Sequence, residues 1–190
     1  MRRAFLVLHG YTNRRPEGHW QRRLVTALRA DGELAVYPAL PDTDDPHLEP
    51  WVEAVRTELA MLGDDVERVV VAHSLGAVTW LHVAAGGLEA PVDRVLLVAP
   101  PSPARTAEAL PRFVLPALDG DAVRAAAHDT LLVGSDGDPW CPAGIEQAYA
   151  APLGLPHVVV PGARHFALAD GFGPWDDPLA WCRDPASVWG

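Results

Sequence analysis

The chain has 190 residues, 49% of them hydrophobic, and a formal net charge of −10. That length predicts one compact domain spanning residues 1–190, with enough apolar side chains for a substantial core. The acidity argues against nucleic acid and anionic membrane surfaces as partners, because both are held by clustered Lys and Arg.

The first apolar run, Ala4 to Leu8, follows Arg2-Arg3 and leads into His9-Gly10. It is too short for a signal peptide and has no cleavage-site pattern, so it reads as a first strand of a cytoplasmic protein. His19 to Ala30 is helical, with Trp20, Leu24, Val25 and Leu28 on one side and Gly32 after the end. Leu34 to Tyr37 reads as the second strand. Asp42, Asp44 and Asp45 are expected to cap the helix that follows, Leu48 to Leu62, which has Pro50 in its first turn. Arg68 to Ala72 is the third strand, and Leu75 to Ala85 is a helix ended by Gly86-Gly87. From Val69 to Leu88 the chain has no Asp, Glu, Lys or Arg, which is about the length of a membrane span. His73, Ser74, Thr79 and His82 and the opening valines favour a buried strand plus a buried helix instead. Arg94 to Val98 is the fourth strand. Ser102 to Asp121 carries Pro103, Pro111 and Pro116 and predicts irregular structure or short helices. Thr130 to Val133 and His157 to Val160 complete six strands, with short helices over Ala143 to Ala150 and Pro178 to Arg183. Strands alternating with helices predict an α/β domain with a mainly parallel sheet and helices on both faces. Cys141 and Cys182 lack metal-ligand or disulfide spacing and are expected to be free thiols.

The stretch from Val69 to Gly76 has the form of a strand, a sharp turn bearing Ser74, and a helix. The usual Gly-x-Ser-x-Gly pattern has Ala72 in its first position. Small residues at 72 and 76 let strand and helix backbones approach around a strained turn. A serine hydroxyl is a weak nucleophile at neutral pH and needs a base, and imidazole exchanges protons near pH 7. His165 is the best base, because it follows the sixth strand in a Gly-containing loop. His73, His82, His128 and His157 sit within or beside predicted elements. The imidazole needs an acidic partner, and Asp136 and Asp138 both follow the fifth strand. Asp138 is favoured because Asp138-Pro139-Trp140 starts a turn near the strand end, whereas Asp136 suits a turn residue bonding its own backbone. Open parallel sheets bind ligands beyond the carboxyl ends of their strands, where these loops converge. An oxyanion needs two preorganised N–H donors: Leu75, at the helix start, and Tyr11, in the His9-Gly10-Tyr11 turn, are the candidates. Trp140 and Trp175 lie near these loops and are candidate walls of an acyl pocket.

With Leu8-His9-Gly10, Ala72-His73-Ser74-Leu75-Gly76, Asp138-Pro139 and His165, the chain resembles the α/β-hydrolase superfamily. More closely it is similar to the small YdeN-like serine hydrolases that include retinoblastoma-binding protein relatives. That likeness is carried by His19-Trp20-Gln21, Pro41-Asp42 before Trp51-Val52, Val98-Ala99-Pro100-Pro101 and Gly162 to Phe166. The resemblance spans nearly the whole chain. It implies an α/β-hydrolase fold with Ser74, Asp138 and His165 as the catalytic triad. The chain length leaves little room for a separate lid domain, so an open site for small or extended substrates is expected, cleaving carboxylic esters or related acyl compounds without a cofactor. The Leu-x-Cys-x-Glu segment linked to retinoblastoma binding is absent, so no such partner is implied. An acyltransferase or thioesterase uses the same triad, and a binding protein that has lost turnover keeps the same fold.

Overall fold

Six strands form one sheet among the described residues (2–63 and 65–189) of a computed structural model of the chain. They are β1 (Arg3–Leu8), β2 (Leu34–Val36), β3 (Glu67–His73), β4 (Val92–Val98), β5 (Ala127–Ser135) and β6 (His157–Val160). Their spatial order is β2-β1-β3-β4-β5-β6. Every neighbouring pair is parallel, so each connection must cross back over the sheet. The crossovers carry α1 (Trp20–Ala30), α2 (Leu48–Met61), α3 (Leu75–Ala85), α4 (Pro103–Ala109), α5 (Gly120–Ala126) and α6 (Ala151–Leu153), and α7 (Asp177–Arg183) follows β6.

Strand side chains point alternately to opposite faces, and here both faces are covered. Leu6, Leu8, Val70, Ala72, Val95 and Leu97 pack with residues of α2, α3 and α5. Phe5, Val7, Val69, Val71, Leu96 and Val98 pack with Trp20, Leu24 and Leu28 of α1 and Trp181 of α7. This double burial is why the strands read as continuous Val and Leu runs. It also explains the charge-free stretch from 69 to 88, which divides into β3 and the buried α3. Among the described residues no helix is long and apolar enough to cross a membrane. The last helix is tied down by Arg94. Its guanidinium pairs with Glu67 (2.6 Å), donates to the carbonyls of Trp181 and Cys182 (3.0 and 3.1 Å), and lies over the Trp181 ring.

The proline-rich segment holds the short helices expected of it, α4 and a 3-10 turn at Pro111–Phe113, and α5 follows; Ser102 and Asp119 cap α4 and α5 by accepting main-chain N–H bonds. Two local expectations are corrected. Residues 143–150 are not a regular helix. Glu146–Ala150 is a π-helical turn leading into α6, where Pro152 contributes no N–H to the ladder and Gly154 ends the element at φ 66°. Asp42, Asp44 and Asp45 do not cap α2: His47 takes that position without a side-chain bond, and Asp44 and Asp45 pair instead with Arg14 and Arg112. The β4–β5 connection consists of short elements, with no lid domain inserted over the strand ends among the described residues.

Candidate active site

β3 ends at His73 and α3 begins at Leu75, so Ser74 alone makes the turn, at φ 56° and ψ −125°. That left-handed conformation is strained for a residue with a side chain and must be held by its surroundings. Ser74 N–H donates to the Val98 carbonyl of β4, and the Ser74 carbonyl accepts from Ala77 N–H, both at 2.9 Å. Glycine is required on either side. A Cβ at Gly76 would lie 2.6 Å from the His9 carbonyl oxygen, and one at Gly10 would lie 2.7 Å from Ser74 Cβ. The turn after β1 therefore runs directly against the serine. It carries Tyr11, while Leu75, as the first residue of α3, has an N–H without an intrahelical acceptor.

Ser74 Oγ lies 2.8 Å from His165 Nε2, and His165 Nδ1 lies 2.9 and 3.0 Å from the two carboxylate oxygens of Asp138. A carboxylate accepts, so Nδ1 carries the ring proton and Nε2 presents a lone pair to the hydroxyl. The Asp138 side chain is 1% exposed, and Oδ1 also accepts from Trp140 N–H at 2.8 Å. Both contacts hold the carboxylate in one orientation. Asp136 does not reach the imidazole. Its Oδ1 accepts from Gly162 N–H at 2.7 Å and so joins the loop after β5 to the loop after β6.

The loop bearing His165 is held from several directions. Arg164 and Phe166, on either side of the histidine, both have positive φ (52° and 55°). Asp170 accepts from the N–H groups of His165 and Ala167 and from Arg164 Nε. Trp20 Nε1 donates to the Phe166 carbonyl at 3.1 Å, and His73 Nε2 reaches the His165 carbonyl at 2.9 Å. Beneath the loop, Trp175 stacks on Phe166 (4.8 Å between centroids) and meets Trp20 edge-on. Trp175 is thus a support of this loop, whereas Trp140 lines the cleft. The sequence context of Asp170, Trp20 and His73 carries no sign of these roles, because each acts through a contact made only in the folded chain.

The other imidazoles nearby are structural donors and acceptors. His9 Nε2 accepts from Leu40 N–H, so Nδ1 carries the proton and donates to the Gly10 carbonyl, both at 2.9 Å. His19 caps α1 by accepting from Gln21 N–H. Burial pushes His19 down to about 4, with a smaller push from His9, and burial also lowers His9. These rings therefore stay neutral at pH 7.

A cavity of about 460 Å³ opens over Ser74 and His165. Tyr11, Pro101, Leu110, Trp140 and Leu168 give it largely apolar walls, and Asn13 and Arg14 lie at its polar side. Leu110 brings the proline-rich segment to the cleft.

A model of the serine hydrolase family matches residues 5–182 of the chain. Among solved structures, the chain resembles the ydeN gene product from B. subtilis, with 24% identity and a TM-score of 0.81, over 95% of this chain and 97% of that one. It also resembles a putative YdeN-like hydrolase from Pectobacterium atrosepticum, with 26% identity and a TM-score of 0.72, over 94% and 88%. The esterase domain of a Rhodothermus marinus protein aligns with 20% identity and a TM-score of 0.64, over 95% and 86%. No curated protein matches the sequence at a significant level.

Proposed function

The chain belongs to the serine hydrolase family, and from that premise we propose that it cleaves carboxylic esters or related acyl compounds through an acyl-enzyme on Ser74. Ser74 Oγ attacks the acyl carbon while His165 Nε2 takes its proton. Asp138 accepts from Nδ1–H, keeps the ring in the reactive tautomer and stabilises the imidazolium. The main-chain N–H groups of Leu75 and Tyr11 donate to the oxyanion, where losing one such donor costs roughly 3 kcal/mol. His165 returns the proton to the leaving group. A water then attacks the acyl-serine with His165 as base, and the acid departs. No cofactor takes part. The apolar walls of the cavity suit a small or medium acyl group.

The observation that carries this reading is the hydrogen-bonded line from hydroxyl to imidazole to carboxylate, 2.8 and 2.9 Å long. Turnover of short p-nitrophenyl esters tests it. Ser74→Ala is expected to remove activity, on the order of 10⁶-fold in kcat. Asp138→Asn is expected to cost on the order of 10⁴-fold by imposing the wrong tautomer, and Asp136→Asn far less. A severe Asp136 effect beside a mild Asp138 effect would overturn the assignment of the acid.

A further inference from the structure

We propose that His73 positions the base: its imidazole holds the main chain of His165, so one dipeptide, His73-Ser74, carries both the hydroxyl and the anchor of the group that deprotonates it. The proposal rests on the role given to His165 above.

The geometry is a two-point contact across 91 and 92 residues of chain. Ser74 Oγ meets the His165 side chain at 2.8 Å, and His73 Nε2 meets its carbonyl oxygen at 2.9 Å. A carbonyl only accepts, so the His73 proton sits on Nε2. Burial, then the neighbouring His165 and His19, hold the His73 pKa well below the usual value, so the ring is neutral and its Nδ1 bare. That Nδ1 is buried and has no hydrogen-bond partner among the described residues. An apolar residue would spare the fold this unmet acceptor. What the imidazole supplies in return is the Nε2–H bond.

The loop needs that bond. His165 lies between Arg164 and Phe166, two residues with side chains in the left-handed region, and such a segment keeps its shape only when outside contacts fix it. Trp20 and Asp170 fix its flanks from α1 and from the loop itself. The His73 contact alone comes from the strand end that also sets Ser74. It ties the position of the base to that of the nucleophile and not merely to the body of the protein. Staying uncharged, His73 also places no like charge beside His165 when that ring takes up the Ser74 proton.

Two variants separate this role from simple space filling. His73→Leu keeps a buried apolar side chain and loses the donor; His73→Gln returns an N–H at about the reach of Nε2. With p-nitrophenyl esters, His73→Leu is expected to lower kcat by up to about 10²-fold, the order expected for misplacement by an ångström, with KM unchanged and the thermal midpoint near wild type. His73→Gln is expected to regain most of that loss. The downfield NMR signal of the His165 Nδ1 proton gives a readout that needs no substrate. It should vanish into water exchange in His73→Leu and persist in His73→Gln. An unchanged kcat and an unchanged signal in His73→Leu would overturn the proposal. So would losses in both variants that simply follow their thermal midpoints. A wild type without esterase turnover, whose Nδ1 signal is nonetheless lost in His73→Leu, would retire the hydrolytic reading and leave the positioning role standing.

Discussion

Ser74 and His165 lie 2.8 Å apart, yet the chain holds them by opposite means. The turn after β3 is one residue long, and its shape follows from immediate neighbours: a strand that stops, a helix that starts, and Gly76 against the β1 backbone. The loop after β6 has no such local necessity. Asp136, Trp20 and His73 each give it one bond from a different part of the chain, and Asp170 braces it from within by three. A site of this kind joins one locally determined partner to one determined by the whole fold. The first should fail sharply at one position, and the second should fail gradually over many.

The sharpest break is expected at Gly76→Ala. The added Cβ meets a backbone oxygen at 2.6 Å, and backbone cannot swing away as a flexible side chain does. A stability loss of roughly 1–3 kcal/mol is expected, as for overpacking a core, together with a loss of esterase turnover. Urea unfolding and ester kinetics on the same sample check both. A variant as stable and active as wild type would remove the argument for a rigid elbow.

Acid probes the neutral imidazoles beside the β6 loop. His19 is held at about 4 in the fold, below its ordinary value near 6.5, so the unfolded chain binds more protons between those limits. The His19 contribution should therefore be fully present above about pH 6.5 and be lost as pH drops to about 4, by roughly 3 kcal/mol. The lowered His9 and His73 act with the same sign. Denaturant midpoints measured across this range should show the slope, and His19→Asn, which keeps a capping acceptor, should reduce it. A midpoint that rises on acidification would contradict the neutral, buried assignment.

The gentlest effect is expected at Asp136→Ala. It removes one bond to Gly162 and leaves the other ties of the loop in place. Roughly 1 kcal/mol of stability and a modest fall in kcat are expected. A kcat loss as deep as that of Asp138→Asn would mean that the loop depends on this one latch.

The same contrast explains what could be read from the residues alone. The strands, α3 and the elbow are written locally, as β-branched runs, a charge-free stretch and small residues at 72 and 76. Their positions in the fold follow that reading closely. β5 runs from Ala127 to Ser135, longer than its apolar centre, because β4 pairs with it from Ala127 onward and β6 as far as Ser135. α5 was hidden because Asp119 and Gly120 suggest a turn, although Asp119 is the helix cap. Asp136 and Asp138 differ by two positions, and their turn context favours Asp138 without showing what either side chain meets. What separates them is that one side chain meets Gly162 and the other meets His165. His73, Trp20 and Asp170 carry no sequence signal of their role, since their partners lie on other elements or in turn geometry that only the folded loop creates.

In the proposed mechanism the imidazole of residue 165 makes the hydroxyl of residue 74 reactive. Incubation with a fluorophosphonate probe, followed by intact mass and peptide mapping, measures this directly. One adduct on Ser74 is expected, formed at a rate that collapses in His165→Gln while the fold is retained. An adduct on another residue, or a Ser74 adduct forming equally fast without the imidazole, would contradict the account.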